Sequence, residues 1–188
     1  EKITQTDQTF SLANFLMSST GFLSNNEERK SKVDNAMNLA ISHLYKLPAR
    51  FSFTIKTWYY FYIKGDPGKA SKVCEMWIKQ HPESINPYQI KINIFLHQDM
   101  YREALDVAKD LLDKHNNHYS TYRILCRCYI GLSDYKNAIL FAEKYMVKCP
   151  SEASSYTLIA DVYKKKGDSK QAKDYYEQAL MLESDNIT

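Results

Sequence analysis

Apolar positions in this chain recur at i, i+3, i+4 and i+7, in two stripes that alternate along the sequence. The first stripe is Tyr122, Leu125, Cys126 and Tyr129, then Tyr156, Ile159, Ala160 and Tyr163. Such spacing puts four side chains on one face of an α-helix. The second is Ala70, Cys74, Trp77 and Ile78, followed by Ala104, Ala108, Leu111 and Leu112. It continues as Ala138, Ala142, Tyr145 and Met146, then Ala172, Tyr176, Ala179 and Leu180. A short leading alanine lets two helices of a hairpin cross closely. Between the stripes stand "GD", "DM", "SD" and "GD" at 65–66, 99–100, 133–134 and 167–168. Asp66, Asp134 and Asp168 are placed to cap the second helix, with Pro67 at its first position. The pattern predicts an all-α chain of helix–turn–helix units.

The units keep a constant step. Ala36, Ala70, Ala104, Ala138 and Ala172 lie 34 residues apart. Pro48, Pro82 and Pro150 keep the same period, with Asn116 and Ser184 in its other two slots, and these positions end the second helix. Tyr88, Tyr122 and Tyr156 follow it, as do Phe61, Phe95, Tyr129 and Tyr163. "KGD" at 64–66 returns at 166–168, three periods later.

A 34-residue helix–turn–helix period with these markers resembles the tetratricopeptide repeat (TPR) family. The resemblance covers one domain over 1–188, with full repeats at 51–84, 85–118, 119–152 and 153–186. A degenerate repeat occupies about 10–50, its first helix expected near 8–20 and a longer loop at 21–28. The implied fold is a right-handed α-solenoid whose first helices line a concave groove. The implied function is non-enzymatic protein or peptide binding. Departures from the pattern are Thr54 and Thr57 where large apolar residues are expected, and Lys91 in an apolar slot.

The stretch "IKTWYYFYIKGD" (55–66) favours a strand when taken alone, because aromatic and β-branched residues have high β-propensity. The period places a first helix there instead. In register, Trp58 and Phe61 are expected in the core, Tyr59 and Tyr62 on the groove wall, and Tyr60 pointing away.

Composition narrows the classes further. Gly and Pro are scarce at five each, which suits a helical chain. A net charge of +3 is too small to imply a nucleic-acid or membrane-surface partner. The longest apolar run, Trp58 to Ile63, falls far short of the ~20 residues of a spanning helix. Cys74, Cys126, Cys128 and Cys149 form no disulfide or zinc framework, so reduced thiols and a cytoplasmic location are expected. The chain opens on Glu1, without a signal-peptide pattern or an initiator Met, and is expected to be part of a longer protein.

No enzyme signature stands out, and no metal or cofactor is expected. "GDPGKAS" is too short for a phosphate loop and falls on a turn between helices. His115 and His118 have ligand-like spacing but lack a third partner, and His43 occupies a second-helix packing slot. The inward positions are Tyr59, Tyr62, Gln89, Asn93, His97, Arg123, Arg127, Asp161, Lys164 and Lys165. Arg123 and Arg127, four apart, would repel one another unless an anion sat between them. Arginine also suits bidentate recognition of carboxylates.

The expected site therefore takes an acidic peptide, with Arg123, Arg127 and Lys164 as cationic contacts. Gln89 and Asn93 would hold peptide backbone, and Tyr59 and Tyr62 would form an aromatic wall. The competing account is a solvated charged face, partly neutralised by Asp161. Ile55 and Tyr59 hold the slots where chaperone-tail-binding TPRs carry Lys and Asn. Two other classes remain. Self-association, as a homodimer, would use the uncapped last repeat ending in "MLESDNIT". Single-stranded RNA binding would use concave Tyr and Arg, but the strict period and small net charge speak against it. "LPAR", "KGDPGKA", Trp77 and "HP" together resemble TPR regions appended to bacterial signalling proteins, which implies a regulatory segment.

Overall fold

The computed structural model describes residues 27–116 and 118–185, and every regular element among them is helical. The expected helix near 8–20 lies outside the described residues. The described residues divide into two compact units, one up to Ile94 and one from Phe95 onward.

The first unit holds α1 (Glu27–Ser42), a 3-10 turn (Leu44–Lys46), α2 (Ala49–Trp58) and α3 (Pro67–Gln80). It also holds most of α4 (Asn86–Leu96). Its first core joins Met37, Ala40 and Ile55, with Leu44, Leu47, Trp58, Tyr59 and Ile63 packed around them. Its second joins Ala70, Cys74 and Ile94, with Tyr60, Phe61 and Ile90 against them. The aromatic run is thus helical, as expected, but it serves two cores at once.

A π-helical turn at Tyr59–Ile63 explains this. Lys64 N donates to Tyr59 O at 3.0 Å, a five-residue reach that winds in one extra residue. In its own period α2 starts two residues earlier than α8 (Ala153–Lys166) does. The π turn absorbs part of that offset before Gly65. An uninterrupted register therefore misplaces the tyrosines. Tyr59 is half-buried with Ile55 against α1 instead of lining an open wall, and Tyr60 packs towards α3 instead of pointing away. Tyr62 remains 40 % exposed.

The departures from the apolar pattern are each satisfied. Thr57 is buried; its hydroxyl donates to Phe53 O at 2.9 Å and lies 3.8 Å from Cys74 Sγ. Thr54 returns its hydroxyl to Arg50 O at 3.0 Å. Lys91, only 14 % exposed at its side chain, reaches Glu75 at 2.8 Å. Its aliphatic stem can fill an apolar slot while the ammonium finds a carboxylate at the rim.

The second unit holds α5 (Tyr101–Lys114), α6 (Ser120–Gly131), α7 (Tyr135–Lys148), α8 and α9 (Ser169–Asp185). One core cluster in it joins Cys126, Ala138, Ala142, Tyr145, Cys149, Leu158, Ile159 and Val162. The period is visible as repeated geometry. Tyr129 stacks on Phe141 at 5.5 Å and 10°, and one period later Tyr163 stacks on Tyr175 at 5.7 Å and 9°. All five alanines of the series are buried.

The turns repeat as well. Gly65, Asp99, Ser133 and Gly167 have φ of 58°, 55°, 58° and 91°, all in the left-handed region. At each, the next N–H reaches back to a carbonyl near the end of the preceding helix. These bonds are Asp66 to Tyr60, Met100 to Phe95, Asp134 to Tyr129 and Asp168 to Tyr163, at 2.8 to 3.0 Å. The last three are the six-to-one bond of a Schellman ending. In three of the four turns that next residue is an aspartate, which caps the following helix. Asp66 accepts from Lys69 N at 2.8 Å, Asp134 from Asn137 N at 3.2 Å and Asp168 from Gln171 N at 3.2 Å. Pro67 sits in the first turn of α3, so "GDPGKAS" is a helix-starting turn.

Candidate interaction surface

The seven predicted contact residues fall into two sets. Tyr59, Tyr62, Gln89 and Asn93 belong to the first unit; Arg123, Arg127 and Lys164 belong to the second. In the first set Tyr59 is committed to the core around Ile55, and Gln89 is half-buried. Asn93 is exposed. Tyr62 presents an exposed edge, held by a T-shaped contact with Phe61 at 4.8 Å and a tilted one with Trp58 at 5.2 Å. Burial of part of the ring pushes its phenol above the usual range.

In the second set α6 supplies Arg123 and Arg127 on one exposed face, because residues four apart meet on a helix surface. The apolar stripe on the other face, Leu125, Cys126 and Cys128, fixes that orientation by burial. The Arg123 guanidinium lies 5.9 Å from the centroid of the Tyr145 ring. Arg127 lies close enough to the Tyr101 hydroxyl to act on its ionisation, although the hydrogen bond from Tyr101 to Asp99 dominates there. Among the described residues neither arginine forms an ion pair, and neither does Lys164.

Asp161 is the residue that the competing account of a solvated charged face makes a partial neutraliser. On α8 it occupies the position one period after Arg127 on α6, and these two helices touch. It pairs with neither arginine. Tyr176 of α9 donates its hydroxyl to Asp161 Oδ1 at 2.5 Å. That hydrogen bond pushes the Tyr176 phenol up to about 12. The apolar stripe accounts for the Tyr176 ring but not for its hydroxyl.

The other residues singled out in the sequence have local surroundings of their own. His118 lies 3.0 Å from Thr121 Oγ1 and within 3.2 Å of Ser120 Oγ. Burial, with His115 nearby, lowers its pKa. No group of three His, Cys, Asp or Glu among the described residues could hold a metal ion. His43 lies 3.0 Å from Leu39 O, just past the end of α1. All four cysteines are free and buried, and burial pushes the Cys126 thiol up to about 12. No helix among the described residues is long and apolar enough to cross a membrane.

With that geometry in view, comparison with known proteins is informative at the level of fold. The tetratricopeptide repeat family model matches residues 153–186, which are the hairpin α8–α9. The chain carries the TPR fold. Solved structures extend the likeness well beyond that hairpin. A crystal structure of MamA has a TM-score of 0.65 at 21 % identity, covering 86 % of this chain and 94 % of that one. A MamA segment from Desulfovibrio magneticus RS-1 gives 0.64 at 16 %, covering 95 % and 97 %. TPR-like repeats of a kinesin light chain from Podosopora anserina give 0.69 at 12 %, again covering 95 % and 97 %. No curated protein matches the sequence. At such low identities these TPR likenesses speak for the fold.

Proposed function

We propose that the chain is a non-enzymatic protein-interaction module that holds an acidic peptide segment against the exposed faces of its first helices. The observation carrying this reading is the pair Arg123 and Arg127, four residues apart on α6 and without an ion pair among the described residues. Two guanidiniums so placed repel each other until an anion sits between them, so a carboxylate ligand relieves a cost already present in the free protein. Lys164 adds a third cation on α8. The first unit, taken by itself, offers Asn93 and Gln89 as hydrogen-bonding groups for an extended backbone and Tyr62 as an aromatic edge, with Tyr59 packed around Ile55. By its resemblance to TPR regions appended to bacterial signalling proteins, the module is the regulatory part of a larger protein.

The test is calorimetric titration of the full chain with an acidic peptide and with its Glu→Gln counterpart. The acidic peptide is expected to bind more tightly, and Arg123→Ala with Arg127→Ala to remove the difference. Unchanged binding by the double variant overturns the assignment.

A second reading, self-association, is favoured by Leu180 and Met181, each 64 % exposed on α9. Light scattering over a range of concentrations tests it, and a mass fixed at the monomer value counts against it.

A further inference from the structure

In the three hairpins that precede α8–α9, the position equivalent to Tyr176 is filled by a small residue: Cys74, Ala108 and Ala142. The two alanines cannot reach across to the facing helix, and the Cys74 thiol meets only the buried Thr57 hydroxyl there, at 3.8 Å, not a charged group on the exposed face. Tyr176 does reach one, and its hydroxyl grips Asp161 at 2.5 Å. Asp161 is exposed, on a helix whose exposed residues also include cations. Lys164 and Lys165 lie three and four residues beyond it on α8, and Arg127 holds the equivalent position on the touching helix α6. It pairs with none of them. A carboxylate in that company, free to rotate, would be drawn to an arginine. The Tyr176 hydrogen bond fixes its direction instead.

We infer that Tyr176 is a positioning residue that holds Asp161 apart from the arginines, so the α6–α8 face is a two-sign site for a segment bearing one acidic and one basic side chain. The inference rests on the peptide-binding reading above and specifies the peptide. Packed helices lie roughly 8–10 Å apart, and an extended chain advances about 3.3 Å per residue. The two side chains are therefore about three residues apart. The acidic one meets Arg123 and Arg127, and the basic one meets the open oxygen of Asp161.

Four labelled peptides on one Gly/Ser frame test this by fluorescence anisotropy with the full chain. One carries Glu and Lys three residues apart, one Glu alone, one Lys alone, and one Gln at both places. The Glu/Lys peptide is expected to bind about fivefold tighter than the Glu peptide, the upper range for an exposed ion pair. Asp161→Asn should erase that advantage. Tyr176→Phe keeps the ring, and it should weaken the Glu peptide by releasing Asp161 towards Arg127. Asp161→Asn added to Tyr176→Phe should restore the Glu peptide, an outcome a merely structural role for the tyrosine does not give. Equal binding of the Glu/Lys and Glu peptides, or indifference of both to Tyr176→Phe, overturns the inference and leaves the acidic-peptide reading standing. Failure of both to bind better than the Gln peptide overturns the two together.

Discussion

The left-handed residue in each hairpin turn gives a sharp quantitative expectation, because nature has placed Gly at two copies and not at the others. A Cβ added to Gly167 (φ 91°) or Gly65 (φ 58°) would meet nothing within 4 Å. Any loss on Gly167→Ala therefore reports backbone conformation and not crowding. An L-residue in the left-handed region costs about 1–2 kcal/mol, against roughly 0.4–1 kcal/mol returned by stiffening the unfolded chain. The net expectation is a loss of about 1 kcal/mol. Ser133 (φ 58°) runs the same comparison in reverse, and Ser133→Gly should gain about 0.5–1 kcal/mol. For a chain of this size 1 kcal/mol moves the melting temperature by roughly 2–4 °C. Urea unfolding monitored by circular dichroism measures both, with the midpoint shifting and the slope constant. If Ser133→Gly destabilises while Gly167→Ala is silent, the turns do not share a backbone requirement.

Four other outcomes are expected on the same physical grounds. Met100 stands at the cap position of α5 without a side-chain bond, so Met100→Asp should stabilise by about 1 kcal/mol, read from the same urea midpoints. Ile55 is fully buried, and Ile55→Ala should cost about 2–5 kcal/mol in thermal unfolding; a loss below about 1 kcal/mol would mean that α1 does not cover it. Tyr176 is raised to about 12 by Asp161, so its contribution is complete below the ordinary tyrosine pKa near 10 and is lost as pH rises through about 12. Phenolate absorbance should show a latest-titrating step that disappears in Tyr176→Phe and moves to lower pH in Asp161→Asn. The four buried thiols should react with a thiol reagent only after denaturant is added, and a rapid stoichiometric reaction in buffer would contradict their burial.

Much of the architecture is legible in the sequence because each signal is local. The alanine series, the aspartates that cap the second helices and the helical nature of 55–66 all come from spacing and turn chemistry. The π turn is not legible, since Gly65 and Ala70 stay in step with their counterparts. Its one hint is that α2 starts immediately after Pro48. A single wound-in residue is enough to move Tyr59 and Tyr60 from their expected sides. Lys91 looks anomalous until Glu75, sixteen residues earlier, is seen to receive it. The Tyr176–Asp161 bond spans two helices, and periodicity reports a tyrosine's ring while staying silent about its hydroxyl. Arg123 and Arg127 are legible as a pair because an i, i+4 relation needs nothing beyond the helix itself.

The widened turn at Tyr59–Ile63 also bears on how such an array tolerates change. A helix that can swallow one residue lets an insertion in its opening half stop there, so the glycine and the helix behind it keep their phase. Length variation at the front of this chain is thereby insulated from the hairpins downstream, and selection can rework α1 and α2 without disturbing the cadence of the later repeats.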